Sequence, residues 1–225
     1  MTVFWLKKDE LFPVVLGKLK QVNIILDIGC GIRPQNFIKP SVQICCEPFD
    51  QYIEILQENV KNLYDRNYVI IKSTWTEAVN LFPPKSIDSV FLVDVIEHLE
   101  KEEALALLKA TEAIVRHQIA LFTPLGFLPQ EHPNGKDAWG LDGGAWQEHQ
   151  SGWEPTDFND SWDIYVSKVF HTTDNKGTPF EHPYGALWAI KTMQFDNQKS
   201  QLITSKRQKI HILLDKTIDL LKTTS

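Results

Sequence analysis

Cysteine is scarce in this chain: Cys30, Cys45 and Cys46 are an odd number, without metal-ligand spacing. Two of them are adjacent, and neighbours rarely bridge each other, so the pattern fits a reducing compartment better than a disulfide framework. Long apolar runs are missing as well, and nothing approaches the roughly 18 to 20 residues that a membrane span requires. Where a signal peptide would need its apolar core, the chain carries Lys7, Lys8, Asp9 and Glu10. The expectation is a cytoplasmic protein with no membrane span. Positive charge is in deficit too, with 23 Lys and Arg against 29 Asp and Glu and a net charge of −6. Nucleic-acid binders usually carry a basic patch that neutralises phosphates, so neither DNA nor RNA is an expected partner. No internal repeat and no low-complexity tract is present.

What the chain does have is length and order. Its 225 residues suit one α/β domain with a full core. From Val22 the pattern alternates: the strand VNIIL, a glycine turn, the strand VQICC ending at Glu47, and the helix-like YIEILQENVKNL. The strands YVIIK and SVFLV follow, then a helix from about Lys101 to Val115 with Ala104, Leu105, Leu107, Leu108 and Ala110 inward, then the strand IALF. Strands alternating with helices indicate a mostly parallel sheet covered on both faces, with ligands beyond the carboxyl ends of the strands. Residues 123–161 break the rhythm with Pro, Gly, Trp, His and Asp. A loop of that length is more often a lid or binding segment than filler. Two strand-like runs, IYVSKVF and GALWAIKT, come next. Residues 198–222 then carry apolar side chains at helical spacing, a stripe that either packs on its own domain or forms a homodimer contact.

The informative stretch is LDIGCGIRPQ at 26–35. Asp27 is expected at the tip of the first core strand, with Gly29 and Gly31 in the turn and Glu47 twenty residues after Asp27. A glycine turn leading from a strand into a helix, with an acidic residue about twenty positions on, is a recipe for a nucleoside. The main chain approaches closely at the turn, and the carboxylate meets ribose hydroxyls. The third glycine that packs helix against strand around a pyrophosphate is missing; Pro34 and Gln35 stand there instead. A carboxylate at Asp27 would repel a pyrophosphate, while it would attract a sulfonium or order the glycine loop through its amides. That favours S-adenosylmethionine over NAD.

LDIGCG, Glu47 and DSVFLVDVIEHLE at 88–100 together resemble the class I S-adenosylmethionine-dependent methyltransferases, over residues 22–124. The resemblance implies a Rossmann-like methyltransferase fold: a seven-stranded, mostly parallel sheet with helices on both faces and a long insertion after the fifth strand. It implies that Asp27, Gly29, Cys30 and Gly31 line the cofactor, that Glu47 with Pro48 holds the ribose, and that Asp94 and Val95 face the methyl-transfer space. Glu97 and His98 read as structural. Where the family often places an acidic residue for the adenine amine, this chain has Thr74 and Trp75; Trp75 either stacks on adenine or belongs to the core. In the C-terminal half, ALFTPLGF at 120–127 and QEHQSGWEPTDF at 147–158 are similar to methyltransferase-like proteins of bacterial O-antigen and surface-polysaccharide pathways. That likeness implies a small-molecule or glycan acceptor such as a sugar or nucleotide-sugar hydroxyl. It departs from the pattern at Glu154, where a small hydroxyl residue would cap Pro155 better.

A hydroxyl acceptor has a high pKa, so a general base is useful, and the long segment offers His132, Asp137, Asp142, Glu148 and His149. We rank His149 first and His132 second. No metal is expected, because His132, His149, His171 and His182 match no tight zinc spacing. Trp139, Trp146 and Trp153 either line a sugar site or anchor the loop. Two other readings stay open: a binding protein that keeps the cofactor pocket without turnover, and an NAD-dependent oxidoreductase.

Overall fold

Alternation along each strand sends successive side chains to opposite faces of a sheet. Ile25, Phe91, Ala120, Phe122, Tyr165 and Trp188 gather in one buried cluster, while Leu26, Val90, Leu92, Ile119, Leu121 and Leu187 gather in another. The sheet is therefore buried on both faces, which is why its strands read as nearly continuous apolar runs. The structure, a computed structural model, describes residues 2–174 and 177–193. The helix expected at 198–222, with its dimer contact, lies outside the described residues.

The strands are β1 Thr2–Trp5, β2 Ile24–Ile28, β3 Val42–Glu47, β4 Asn67–Lys72, β5 Ile87–Val93, β6 Val115–Leu125, β7 Trp162–Thr173 and β8 Pro179–Thr192. The helices are α1 Lys8–Leu16, α2 Asp50–Val60, α3 Trp75–Asn80, α4 Lys101–Ile114 and the short α5 Gly144–Gln147. Strand order is β1-β7-β8-β6-β5-β2-β3-β4. Only β8 runs antiparallel to its neighbours among the described strands. This is a mostly parallel, mixed α/β sheet, with eight strands instead of seven. The extra strand is β1, whose Thr2–Trp5 pair in parallel with Asp163–Val166. Four residues without flanking turn signals give no local sign of a strand; pairing with a partner far along the chain creates it.

Two further expectations are corrected. Leu105 of α4 is exposed, while Ala104, Leu107, Leu108, Thr111 and Ile114 are buried against the sheet. The glycine turn leads into no helix either: residues 29–41 run as turns and irregular chain. Phe37 and Ile38 cover the sheet there instead, with Phe37 edge-on to Trp188 at 5.0 Å between ring centroids.

Asp27 belongs to that irregular cover. It lies inside β2, one residue short of its end, and is 1% exposed. Its Oδ2 accepts from the Gln35 backbone N–H at 2.7 Å and from Gln43 Nε2 at 2.9 Å. Gln35 Nε2 donates to Gln43 Oε1, which also takes Arg66 Nη1 at 2.7 Å. Asp27 thus orders the loop through amides, one of the two roles open to it. Burial outweighs these bonds and pushes its carboxyl up to about 7. An acid whose folded pKa is raised holds its proton longer folded than unfolded. Its contribution is fully present below about pH 4 and is lost as pH rises towards 7. Asp27→Asn should therefore lessen the decline in thermal midpoint between those limits. Parallel wild-type and variant curves from calorimetry would rule this out.

Candidate functional site

In an open α/β sheet the loops diverge where strand order reverses, and ligands sit at that point beyond the carboxyl ends. Here the chain steps from β2 to β3 and β4 on one side, then returns to β5 and β6 on the other. A cavity of about 450 Å³ lies at that reversal. It is lined by Ile28 at the end of β2 with Gly29 and Gly31 beyond it, by Glu47 at the end of β3 with Pro48 beyond it, by Ser73 and Thr74 after β4, and by Asp94 and Val95 after β5. Trp75 and Thr76 open α3 on one wall, and Ala145, Trp146 and Gln147 of α5 form another. A larger depression, of about 580 Å³ around Tyr64 and Arg66, sits at the amino ends of β3 and β4 and contains none of the expected site residues.

Glu47 organises the glycine side. It is 4% exposed, its Oε2 accepts from Gly31 N–H at 2.9 Å and its Oε1 from Phe49 N–H at 3.0 Å. Burial raises its pKa against these two bonds. Gly29 and Gly31 both have positive φ, 66° and 56°, where a Cβ is strained. A Cβ on Gly29 would also stand 3.0 Å from Val95 Cγ2, so β2 and the loop after β5 meet there. Cys30, by contrast, packs beside the Cys45–Leu56–Val60 cluster and does not line the cavity. Asp27 does not line it either.

On the far wall, Thr74 caps α3 by accepting from Glu77 N–H, and Trp75 Nε1 donates to Glu103 Oε1 at 2.7 Å. Trp75 also packs against the core, so it serves both wall and interior. Asp94 carries strain at the cavity: its φ of 52° is left-handed without being glycine, as is that of Lys85 elsewhere. Desolvation raises its carboxyl to about 6, although the side chain keeps solvent contact through the cavity. Glu97, on the following turn Ile96–His98, is 2% exposed and stands well above the ordinary carboxylate range, through burial first and the Asp94 charge second.

The histidines fall differently from expectation. His98, read as structural, lines the cavity, whereas His149 and His132 do not. His149 sits behind His98, with ring centroids 4.9 Å apart, and donates from Nδ1 to the Leu128 carbonyl at 2.6 Å. His132 is 5% exposed and donates from Nδ1 to the Lys136 carbonyl at 2.8 Å. A general base must reach the proton it removes; both rings stand outside the cavity lining, with Nδ1 given to a carbonyl. Asp137 is committed to the insertion, accepting from Tyr52 Oη at 2.5 Å and from the Trp139 and Leu141 amides. Asp142 pairs with Lys136 and Gln51. Tyr52, Glu103 and Gln147 were not anticipated; no local pattern marks them, since each reaches the cavity from a separate element.

The segment between β6 and β7 is fastened to the sheet. Gln150 and Ser151 N–H donate to the Glu97 carbonyl at 2.7 and 3.1 Å, and Trp153, fully buried, exchanges main-chain bonds with Gly126. Lys101 Nζ lies 3.7 Å from the Trp153 ring centroid and bonds the Gly152 carbonyl and Asp157, each at 2.6 Å. Trp153 is thus an anchor, while Trp146 is exposed on the cavity wall.

Among solved structures, an S-adenosylmethionine-dependent methyltransferase from Archaeoglobus fulgidus is similar over 83% of this chain and 97% of its own, at 14% identity and a TM-score of 0.48. Magnesium protoporphyrin IX methyltransferase from Synechocystis PCC 6803, solved with bound SAM, is similar over 81% and 77%, at 11% identity and 0.48. The cyclopropane synthase MmaA2 from Mycobacterium tuberculosis overlaps 52% of this chain and 42% of its own, at 18% identity and 0.42. No family model and no curated protein matches the chain.

The anchor is testable by itself. Trp153→Ala removes a fully buried indole, and the expected loss of unfolding free energy is about 3 to 5 kcal/mol, measured by denaturant titration. A loss under about 1 kcal/mol, typical of surface positions, would mean that the indole does not fasten the insertion.

Proposed function

We propose that the cavity binds S-adenosylmethionine and that the chain transfers its methyl group to an acceptor hydroxyl, as a class I methyltransferase. The observation that carries this reading is Glu47: it stands at the carboxyl tip of β3, holds the glycine turn by its amides, and borders the cavity. Each carboxylate oxygen has a second lone pair, so Glu47 can accept ribose hydroxyls while keeping its backbone bonds. A dinucleotide would also need a helix N-terminus for its pyrophosphate, and residues 29–41 provide no helix. Trp75 offers its ring to adenine, and Gly29 with Val95 and Asp94 lies where the methionine end would reach.

In the reaction the carbon–sulfur bond breaks as the acceptor oxygen bonds the methyl carbon. The acceptor loses a proton, and S-adenosylhomocysteine leaves. In-line positioning supplies much of the acceleration. Among the groups that border the cavity, the Asp94 carboxylate is placed to take the proton, in the role expected of His149 or His132. The acceptor we propose is a sugar or glycan-precursor hydroxyl of surface-polysaccharide biosynthesis. This rests on the resemblance of residues 120–127 and 147–158, and on Trp146, whose exposed indole gives a sugar ring an apolar face on the cavity wall.

Isothermal titration should detect S-adenosylhomocysteine and no NAD; micromolar NAD binding without the sulfur nucleoside would overturn the reading. Glu47→Ala should weaken nucleoside binding roughly 10- to 150-fold, the equivalent of about 1.5 to 3 kcal/mol for charge-assisted bonds, in a chain that still unfolds cooperatively. An unchanged dissociation constant would place the ribose elsewhere. Methyl transfer to nucleotide-sugars, followed by mass spectrometry, separates an enzyme from a protein that only binds.

A further inference from the structure

We infer that Glu97, His98 and His149 form a binding site for a first-row divalent cation between the cavity and the insertion. One ligand atom from each of the three lies within 4.8 Å of the others. What marks the group is that two ring nitrogens left as bare acceptors stand beside a buried carboxyl. His98 Nδ1 donates to the Glu148 carbonyl at 3.1 Å and His149 Nδ1 to the Leu128 carbonyl at 2.6 Å, so in each neutral ring Nε2 is left with a bare lone pair. Glu97 Oε2 accepts from the Thr123 hydroxyl at 3.0 Å, while Oε1 is buried without a hydrogen-bond partner. A buried polar atom left unpaired is costly. A cation, displacing the proton that burial and the Asp94 charge favour on Glu97, would be met by all three.

The surroundings suit the same purpose. Metal-binding imidazoles almost always donate their other N–H to a carbonyl or carboxylate, which fixes the tautomer and aims the ring. Both rings here do so. Glu97 and His98 are neighbours on one turn, and the Gln150 and Ser151 amides clamp the chain beside His149 onto the Glu97 carbonyl. The donor set is therefore preorganised by main-chain bonds. Two imidazoles with one carboxylate favour Mn2+, Fe2+, Co2+ or Zn2+ over Mg2+ or Ca2+. The absence of metal expected from the sequence is thereby revised, with different ligands: His182 is exposed, and neither His132 nor His171 belongs to the group. Adjacent ligands joined by one from far along the chain fit no short spacing pattern.

His98 lines the cavity, so the cation's open positions would face it. There it would hold the acceptor hydroxyl and lower its pKa; this role rests on the proposed methyl transfer, whereas cation binding does not. The test uses the whole chain, stripped with chelator and titrated with Mn2+, read by loss of the free-ion paramagnetic resonance signal, and with Co2+, read by visible absorption. One equivalent should bind with micromolar affinity and raise the thermal midpoint. Glu97→Gln and His149→Ala should each weaken binding roughly tenfold or more, and His182→Ala should not. If either variant fails to fold, the wild-type Co2+ spectrum decides, because two imidazole nitrogens and oxygen ligands give a signature distinct from the hydrated ion. No saturable uptake of Mn2+, Co2+ or Zn2+, or uptake that both folded variants retain, would overturn the site. Retained nucleoside binding in the same samples separates that outcome from failure of the cavity reading.

Discussion

The reversal of strand order between β2 and β5 is the constraint from which the rest follows. Parallel neighbours connected in opposite directions cannot keep their loops together, so the carboxyl edge opens between them. Gly29, Glu47, Thr74 and Asp94 each end or follow a different strand at that edge. They meet because the sheet aligns their strand ends, and not through any local geometry of their own. The two close contacts across the gap, Glu47 to the Gly31 amide and Val95 to Gly29, then set its floor.

Two buried carboxyls show how differently such an edge can be furnished. Asp27 is surrounded by donors, with Gln35 and Gln43 turned towards it and Arg66 completing the chain of bonds. It orders a loop that has no helix to order it. Glu97 accepts from Thr123 and otherwise lies beside the Asp94 carboxyl and two imidazoles that have already given away their Nδ1–H groups. The first arrangement is closed, and it serves the fold. The second brings a carboxyl and two ring nitrogens together, the arrangement from which the cation site is inferred.

The insertion links these parts. Its start is tied by Gly126 and Trp153, its middle by Asp137 and Tyr52, and its return by the Glu97 carbonyl. α5 is consequently held as a cavity wall, and Trp146 is presented on it. The Glu97 and Ile96 carbonyls, which accept from Gln150 and Ser151, and the Glu148 carbonyl, which accepts from His98, connect the insertion to the turn that carries His98.

Much of the fold was legible in the chain because it is written in local pattern. Apolar runs of strand length, the glycine turn with Glu47 twenty residues after Asp27, and the helical spacing over 101–114 all depend on near neighbours and need no tertiary context. β1 was not legible, because four residues become a strand only when β7 lies beside them. Nor was the irregular cover over 29–41, which depends on Phe37 finding Trp188, about 150 residues on. Eight of the ten expected cofactor residues border the cavity because strand ends converge by rule; Asp27 is instead taken up by Gln35 and Gln43, and Cys30 packs beside the Cys45–Leu56–Val60 cluster. The roles of the histidines were decided by tertiary structure alone. Residue type makes His98, His132 and His149 equally able to hold a proton or a metal, and only packing settles which nitrogen meets a carbonyl, which ring meets a cavity, and which meets Glu97.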